Sequence, residues 1–70
     1  MKQPKIGDII QKRRVSLSLN QEDLAEMAGV TSKTIYSIEN DKGNPSMGTL
    51  QKILEILGLE ILIQIKKTAE

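Results

Sequence analysis

Residues 19–40 of this 70-residue chain read LNQEDLAEMAGVTSKTIYSIEN. Their first half has the signals of a short helix over about 20–28. Asn20 is a good N-cap, and Asp23 follows three residues later as a capping-box partner. Gly29 then allows the left-handed backbone conformation that ends many helices. The pattern predicts a short helix with a defined start and a defined stop.

The second half of this stretch begins another helix almost at once. Thr31 is a second N-cap, and the spacing of Ile35 and Ile38 gives a helix over about 32–40 one buried face. Only about three residues separate the two helices. The sequence therefore predicts a pair of short helices joined by a tight, glycine-containing turn.

The chain on either side of this pair predicts two more helices. Upstream, apolar residues recur at helical spacing and predict a helix over about 5–16. Downstream, Ser46 is an N-cap and Gly58 a stop signal, and an apolar stripe runs between them over about 47–57. Because the sequence shows no repeat, low-complexity stretch or interdomain linker, we predict one domain over 1–70.

After Gly58 the apolar pattern changes from helical to alternating. Every second residue is apolar, and these residues are Leu59, Ile61, Ile63 and Ile65. A period of two predicts a strand over about 59–66 with one apolar face. Because a lone strand leaves its backbone groups unpaired, we expect it to pair with the same strand of a second copy in a homodimer. A fifth helix and an irregular tail are the alternatives.

The composition argues against most enzyme chemistries. The chain contains no cysteine and no histidine, so it lacks a thiolate nucleophile, an imidazole base, a disulfide and the usual zinc ligands. Its carboxylates Glu22, Asp23 and Glu26 share one predicted helix, where we expect a solvated face. We therefore expect no enzyme, no metal and no cofactor. No apolar run is long enough to span a bilayer, and we expect a soluble, cytoplasmic protein with no membrane partner.

The second of the two short helices has an exposed face suited to hydrogen bonding. With Ile35 and Ile38 buried, a helical wheel places Lys33, Ser37 and Asn40 on the opposite side and Tyr36 on the flank. Ser32 and Thr34 lie near the exposed first turn of the helix. Short polar side chains can bond to base edges, and Lys33 can reach guanine O6 or N7. Two helices joined in this way form a helix-turn-helix, whose second helix can lie in the major groove of DNA. An ordinary solvated helix surface is the alternative, and the net charge of +1 by itself favours no class of partner.

The order and spacing of these residues resemble the lambda-repressor and Cro-like helix-turn-helix regulators, also called the XRE family. The resemblance covers roughly residues 6–57. Its most specific stretches are 19–25, 29–31 and 34–40, followed by Asn44-Pro45-Ser46 and Thr49-Leu50. It implies a mainly α fold, a four-helix lambda-repressor-like DNA-binding domain. To this domain the alternating tail adds a C-terminal β-strand that pairs across a homodimer.

The resemblance also implies roles for individual residues. The glutamine that opens the second helix in this family contacts a backbone phosphate, and here it is Gln21. The family's base-reading positions fall on Ser32, Lys33, Thr34 and Ser37. An arginine late in the first helix pairs with a glutamate late in the third, which predicts a structural ion pair of Arg14 and Glu39. Tyr36, the sole aromatic residue, either contacts the duplex or covers the core.

Further phosphate contacts are expected at the end of the third helix and in the loop after it. The candidates are Asn40, Lys42 and Asn44, with the backbone N–H groups of the first two open as donors in addition to their side chains. Such contacts would supply affinity, whereas base contacts would supply specificity.

Two functions follow from these expectations. The first is a sequence-specific transcriptional regulator that binds an inverted-repeat operator as a homodimer, with double-stranded DNA and itself as partners. The alternative comes from the tail, which resembles antitoxins of the HipB type. Those proteins dimerise through a short C-terminal strand and bind a HipA-like kinase toxin, so a toxin kinase would be a third partner and the chain would autoregulate its operon.

Overall fold

The computed structural model describes residues 5–66, and the expected domain over 1–70 extends beyond them at both ends. Within the described residues the chain forms four α-helices, α1 (Ile6–Ser16), α2 (Gln21–Ala28), α3 (Ser32–Glu39) and α4 (Met47–Ile56). The expected four-helix fold is confirmed. Each expected range is one residue longer than its helix because it includes a capping residue, Lys5, Asn20, Asn40 or Leu57.

Helix α2 is fixed at both ends by its own sequence. The Asn20 side chain accepts the backbone N–H of Asp23 at 2.6 Å, and the Asp23 carboxylate accepts the backbone N–H of Asn20 at 3.0 Å. At the other end Gly29 has a φ of 71°, which glycine adopts without a Cβ clash. Thr31 then starts α3 by accepting the backbone N–H of Thr34 at 3.2 Å. Only residues 29–31 separate the two helices.

The other three helices also end in a left-handed residue. These residues are Ser18 after α1, Asp41 after α3 and Gly58 after α4, with φ values of 60°, 57° and 72°. In each case the N–H groups of this residue and the next donate to carbonyls in the last turn of the helix. Because Ser18 and Asp41 carry a Cβ, their backbones are strained by roughly 1 kcal/mol each relative to glycine.

The hydrophobic core receives side chains from all four helices. Its largest fully buried members are Ile10, Leu24, Ile35, Ile53 and Leu57. Helix α2 packs against α3 and α4, and α1 packs against α3. Helix α1 contributes less to this core than its apolar pattern indicates, because Ile6 and Ile9 stay 51% and 40% exposed.

Gly7 allows α1 to approach the C-terminal end of α3 closely. A Cβ built on Gly7 would stand 2.6 Å from the carbonyl oxygens of both Ile38 and Glu39. Those oxygens belong to the backbone, so neither can move aside unless α3 shifts as a whole. Gly7 therefore sets the distance between α1 and α3.

Residues 59–66 follow α4 and form neither helix nor strand within the described chain. Leu59 packs partly buried against the core, and the exposed fraction reaches 92% at Ile63 and 97% at Ile65. The fifth helix considered as an alternative does not form in these residues. The predicted strand requires a second chain as its partner, so it stays a prediction. None of the helices described in residues 5–66 has the length and apolar character needed to cross a membrane.

Candidate nucleic-acid interface

Helix α3 presents the predicted base-reading side chains to solvent. Ser32 and Lys33 are exposed, whereas Thr34 and Ser37 are half-buried. The isoleucines of the helix are buried on the opposite side, in the core. Tyr36 is 50% exposed, so its ring is accessible beside this face. The helix therefore divides into a core side and a polar side, as its sequence pattern predicts.

A surface concavity of about 300 Å³ joins α3 to the loop that follows it, and we call it the α3 groove. Its lining includes three predicted base-reading residues, Lys33, Thr34 and Ser37, and two predicted phosphate-binding residues, Lys42 and Asn44. Two lysines and no carboxylate are among the lining residues, so the groove favours an anion electrostatically. The remaining predicted residues lie outside it, and these are Gln21, Ser32, Tyr36 and Asn40.

The hydroxyl of Thr34 already has a partner inside the protein. Its Oγ1 lies 3.0 Å from Oγ1 of Thr31, the N-cap of α3. This contact fixes the rotamer of Thr34 and occupies part of its hydrogen-bonding capacity. The Thr34 methyl group and at least one oxygen lone pair remain for a base edge.

The backbone N–H groups of Asn40 and Lys42 are not available to a phosphate. Asn40 donates to the carbonyls of Tyr36 and Ser37 at 3.1 and 3.2 Å, and Lys42 donates to the carbonyl of Ser37 at 2.7 Å. The expectation that these N–H groups serve as phosphate donors is therefore wrong, because the free carbonyls at the end of α3 take them. The Asn40 side-chain amide also donates to the Tyr36 carbonyl, at 2.8 Å. A phosphate contact from either residue would have to use the side chain.

A buried ion pair joins α1 to the end of α3. Arg14 Nε lies 2.6 Å from Glu39 Oε2, and Arg14 Nη2 lies 3.0 Å from Glu39 Oε1. A third donor, Arg14 Nη1, reaches the carbonyl of Leu19 at 2.8 Å. The two residues are only 8% and 5% exposed. The hydrogen bond to Glu39 raises the pKa of Arg14 above its ordinary value, so the guanidinium stays charged.

The Glu39 carboxylate also holds Gln21. Nε2 of Gln21 donates to Oε1 of Glu39 at 3.1 Å, and the contact is partly buried. Gln21 is the first residue of α2, where free backbone N–H groups and the positive end of the helix dipole favour an anion. The residue predicted to bind phosphate is thus hydrogen-bonded to the ion pair of Arg14 and Glu39.

The sequence-based expectations missed three contacts that position the helices. The Gln21–Glu39 bond and a bond from Arg13 Nε to the Leu57 carbonyl at 2.7 Å join residues far apart in the chain. No local pattern marks either of them. The approach of α1 to α3 at Gly7 did leave a signal in the sequence. An isolated glycine inside a helical pattern lowers helix stability, so its presence there points to a packing reason such as a close neighbour.

A helix-turn-helix family model matches residues 10–63, which include α2, the three-residue turn and α3. The chain belongs to the Cro/C1-type helix-turn-helix family. The resemblance to XRE regulators is therefore confirmed. It covers the ion pair, the Gln21 contact and the α3 groove, so all three features lie inside the family's domain.

Two relatives are named as HTH-type transcriptional regulators. The chain is 38% identical over 55 residues to the HTH-type transcriptional regulator PuuR of Escherichia coli (strain K12), a match that covers 79% of this chain and 30% of PuuR. It is 40% identical over 52 residues to an uncharacterized HTH-type transcriptional regulator of Methanothermobacter thermautotrophicus, covering 74% of this chain and 75% of that protein. The chain thus spans 30% of the length of PuuR.

Solved structures with this fold include DNA-binding proteins. The biofilm regulator SinR in complex with DNA is 36% identical, with a TM-score of 0.70 over 79% of this chain and 89% of that one. The DNA-binding domain of the P22 C2 repressor is 27% identical, with a TM-score of 0.78 over 86% and 79%. A chain of the HipA–HipB–O2–O3 complex is 26% identical, with a TM-score of 0.77 over 96% of each chain. The fold is lambda-repressor-like, and the family to which the chain belongs consists of DNA-binding transcriptional regulators rather than enzymes.

Proposed function

We propose that this chain is a transcriptional regulator that binds an inverted-repeat operator as a homodimer. The observation that carries the proposal is the α3 groove, because it combines polar side chains from the second helix of the helix-turn-helix with a lysine and an asparagine from the next loop. A duplex seated on this surface would offer base edges to α3 and backbone phosphates to the loop. SinR, a related domain, has been solved in complex with DNA, which supports DNA as the ligand of this surface.

The proposal divides the residues by role. Ser32, Lys33, Thr34 and Ser37 read bases in the major groove, with Tyr36 as a further contact at their edge. The phosphate-binding residues are Gln21, Asn40, Lys42 and Asn44. Of these, Lys42 supplies most of the salt-dependent affinity because it alone carries a positive charge. The relatives are bacterial and archaeal, from organisms whose DNA lies in the cytoplasm, and we propose that this protein acts there too.

Homodimerisation through the tail is the second part of the proposal. Ile63 and Ile65 are almost fully exposed, and Ile6, Ile9 and Ile61 are exposed by 40% or more. Ile6, Ile9 and Ile61 line a mainly apolar cavity between α1, α4 and the tail. Pairing of residues 59–66 with the same segment of a second copy would satisfy the backbone groups and cover these isoleucines. Each subunit would then place α3 in one half-site, about 34 Å from the other.

Selection of bound duplexes from a random DNA pool tests this function. We expect enrichment of an inverted repeat whose half-sites are separated by about one helical turn, 10–10.5 base pairs. The complex with the selected duplex should contain two chains, as measured by sedimentation equilibrium. Failure to enrich any sequence would contradict specific recognition, and enrichment of a single half-site bound by one chain would contradict the homodimer.

A HipB-like antitoxin is the second candidate function. It is favoured by the similarity to a chain of the HipA–HipB–O2–O3 complex, which covers 96% of this chain and therefore extends past α4 into the tail. The candidate requires a kinase toxin that this chain binds and inhibits. Co-expression with a kinase encoded next to this gene should yield a stable complex with reduced kinase activity. If such a kinase stays active and separates from the chain, the antitoxin function is excluded.

A further inference from the structure

The side chain of Gln21 can bind a phosphate with only one of its two ends. A glutamine amide carries an acceptor oxygen and a donor nitrogen, and a half-turn of the terminal group exchanges them. Facing a phosphate, the nitrogen donates a hydrogen bond whereas the oxygen repels. A glutamine that nothing holds samples both orientations, so ordering it on binding costs free energy.

Glu39 leaves Gln21 only one orientation. An ionised carboxylate accepts hydrogen bonds and cannot donate them. Oε2 of Glu39 accepts from Arg14, while Oε1 accepts from Arg14 at 3.0 Å and from Gln21 at 3.1 Å. If the Gln21 amide were turned over, its oxygen would face the carboxylate oxygen at the same short distance. The carboxylate therefore selects the orientation in which the Gln21 nitrogen is the bound end.

We infer that Glu39 is a positioning residue for DNA binding, acting through the Gln21 amide. That nitrogen has two N–H groups, and the bond to Glu39 uses one of them. The second is held in a fixed direction at the first residue of α2, beside the backbone N–H groups that favour an anion. The inference rests on the proposed function and adds a residue that touches no DNA itself.

Arg14 makes this arrangement compatible with a nearby phosphate. A lone carboxylate within reach of the phosphate site would repel the anion. Arg14 binds both carboxylate oxygens, so its charge offsets that of Glu39. Because Glu39 is the last residue of α3, the link also ties the phosphate contact of α2 to the helix that reads bases. The Gln21–Glu39 bond thus joins the two kinds of DNA contact.

A double-mutant cycle on DNA affinity tests the inference. A nonspecific 20-base-pair duplex at low salt is a sufficient probe, because phosphate contacts do not depend on sequence. We expect Gln21→Ala to weaken binding about tenfold in the natural chain and less than about twofold in a Glu39→Gln background. In that background the introduced amide would keep its oxygen on Arg14 and turn its NH₂ toward Gln21, which reverses the Gln21 amide. Equal losses in the two backgrounds would overturn the inference.

Two controls separate this effect from a general loss of structure. Gln11→Ala removes an exposed glutamine from α1 and should leave the affinity unchanged in both backgrounds. The salt dependence of binding should have the same slope with and without Gln21, because an uncharged side chain releases no counterion. A change in slope would show that the substitution had moved charged contacts instead.

A measurement on the unsubstituted chain covers the case in which Glu39→Gln fails to fold. In ¹⁵N-resolved NMR spectra, the Gln21 side-chain NH₂ protons should exchange with water more slowly than those of Gln11, and the second proton should shift when the duplex is added. If the Gln21 signals match those of Gln11, or do not shift when the duplex binds, the inference is refuted while the proposed function stands. If the natural chain does not bind DNA at all, the proposed function fails first, and the spectra of the free protein still decide the Glu39–Gln21 contact.

Discussion

Replacement of Arg14 by alanine should damage the fold before it affects DNA binding. The substitution removes the three donor nitrogens of the Arg14 side chain, which is 10% exposed. It leaves the Glu39 carboxylate, on a side chain that is 1% exposed, with Gln21 as its one remaining side-chain donor within the described residues. It also removes the side-chain partner of the Leu19 carbonyl. Breaking one partner of a buried pair typically costs about 3–5 kcal/mol.

This cost is large compared with the stability of so small a domain. At roughly 0.05–0.15 kcal/mol per residue, a 70-residue chain has a free energy of unfolding of about 4–10 kcal/mol. A loss of 3 kcal/mol or more corresponds to a fall in Tm of at least about 12 °C. Hydrogen bonding to Glu39 raises the pKa of Arg14, so the stability it contributes is present below the ordinary arginine pKa. The stability that charged Arg14 contributes is lost only as the pH rises through its raised pKa in the folded protein. The titration of Arg14 therefore leaves the effect of the substitution constant from about pH 5 to 9.

Thermal and urea unfolding followed by far-ultraviolet circular dichroism measure this effect. Protein concentration has to be held fixed, because a dimer gains stability with concentration. Lys12→Ala, an exposed neighbour on the same helix, should change the free energy of unfolding by less than about 0.5 kcal/mol. The double variant Arg14→Met with Glu39→Leu should recover most of the loss, since it leaves no buried unpaired charge. An unchanged Tm for Arg14→Ala would refute the reasoning.

Three further predictions concern the backbone and the division of DNA contacts. Gly7→Ala should lower the free energy of unfolding in urea by about 2 kcal/mol or more, because its Cβ would stand 2.6 Å from two carbonyl oxygens. Gly48→Ala, whose Cβ has its nearest atom at 3.9 Å, should not destabilise the protein. Equal effects of the two substitutions would contradict the close approach of α1 to α3. Ser18→Gly should raise the free energy of unfolding by about 0.5–1 kcal/mol by relieving a φ of 60°, and a loss of stability would show that the serine side chain matters more. Lys42→Ala should weaken binding to all duplexes alike and lower the slope of log affinity against log salt concentration by about one unit, whereas Lys33→Ala should relax the preference at one base position. Matching base preferences for the two variants would contradict the division into phosphate-binding and base-reading residues.

The local features of this fold were accessible from sequence because each depends on a few neighbouring residues. Asn20 and Asp23 form both bonds of a capping box, and Gly29 takes the left-handed conformation that its position predicts. The left-handed residues after α1 and α3 were not accessible in the same way. They are Ser18 and Asp41, residue types whose signal is much weaker than that of glycine. Backbone hydrogen bonds to the last turns of α1 and α3 accompany their conformations.

The candidate site likewise combines features that local sequence predicts with contacts that it does not predict. The helical wheel predicts which side of α3 faces solvent, and the family resemblance supplies the pairing of Arg14 with Glu39. Neither could show that the backbone N–H of Lys42 closes the end of α3, because the path of the loop decides which carbonyl it meets. The bond from Gln21 to Glu39 likewise depends on how α2 packs against α3. Contacts between distant segments follow from tertiary packing, which spacing along the chain does not encode.

The central claim is that α3 reads base edges in the major groove, and base analogues in the selected operator test it directly. Replacing a preferred guanine by 7-deazaguanine removes a major-groove acceptor, whereas replacing it by inosine removes only the minor-groove amino group. At the guanine whose preference is lost in Lys33→Ala, 7-deazaguanine should weaken binding of the natural chain about tenfold or more, and inosine should leave it almost unchanged. A loss of affinity with inosine and none with 7-deazaguanine would contradict major-groove reading by α3.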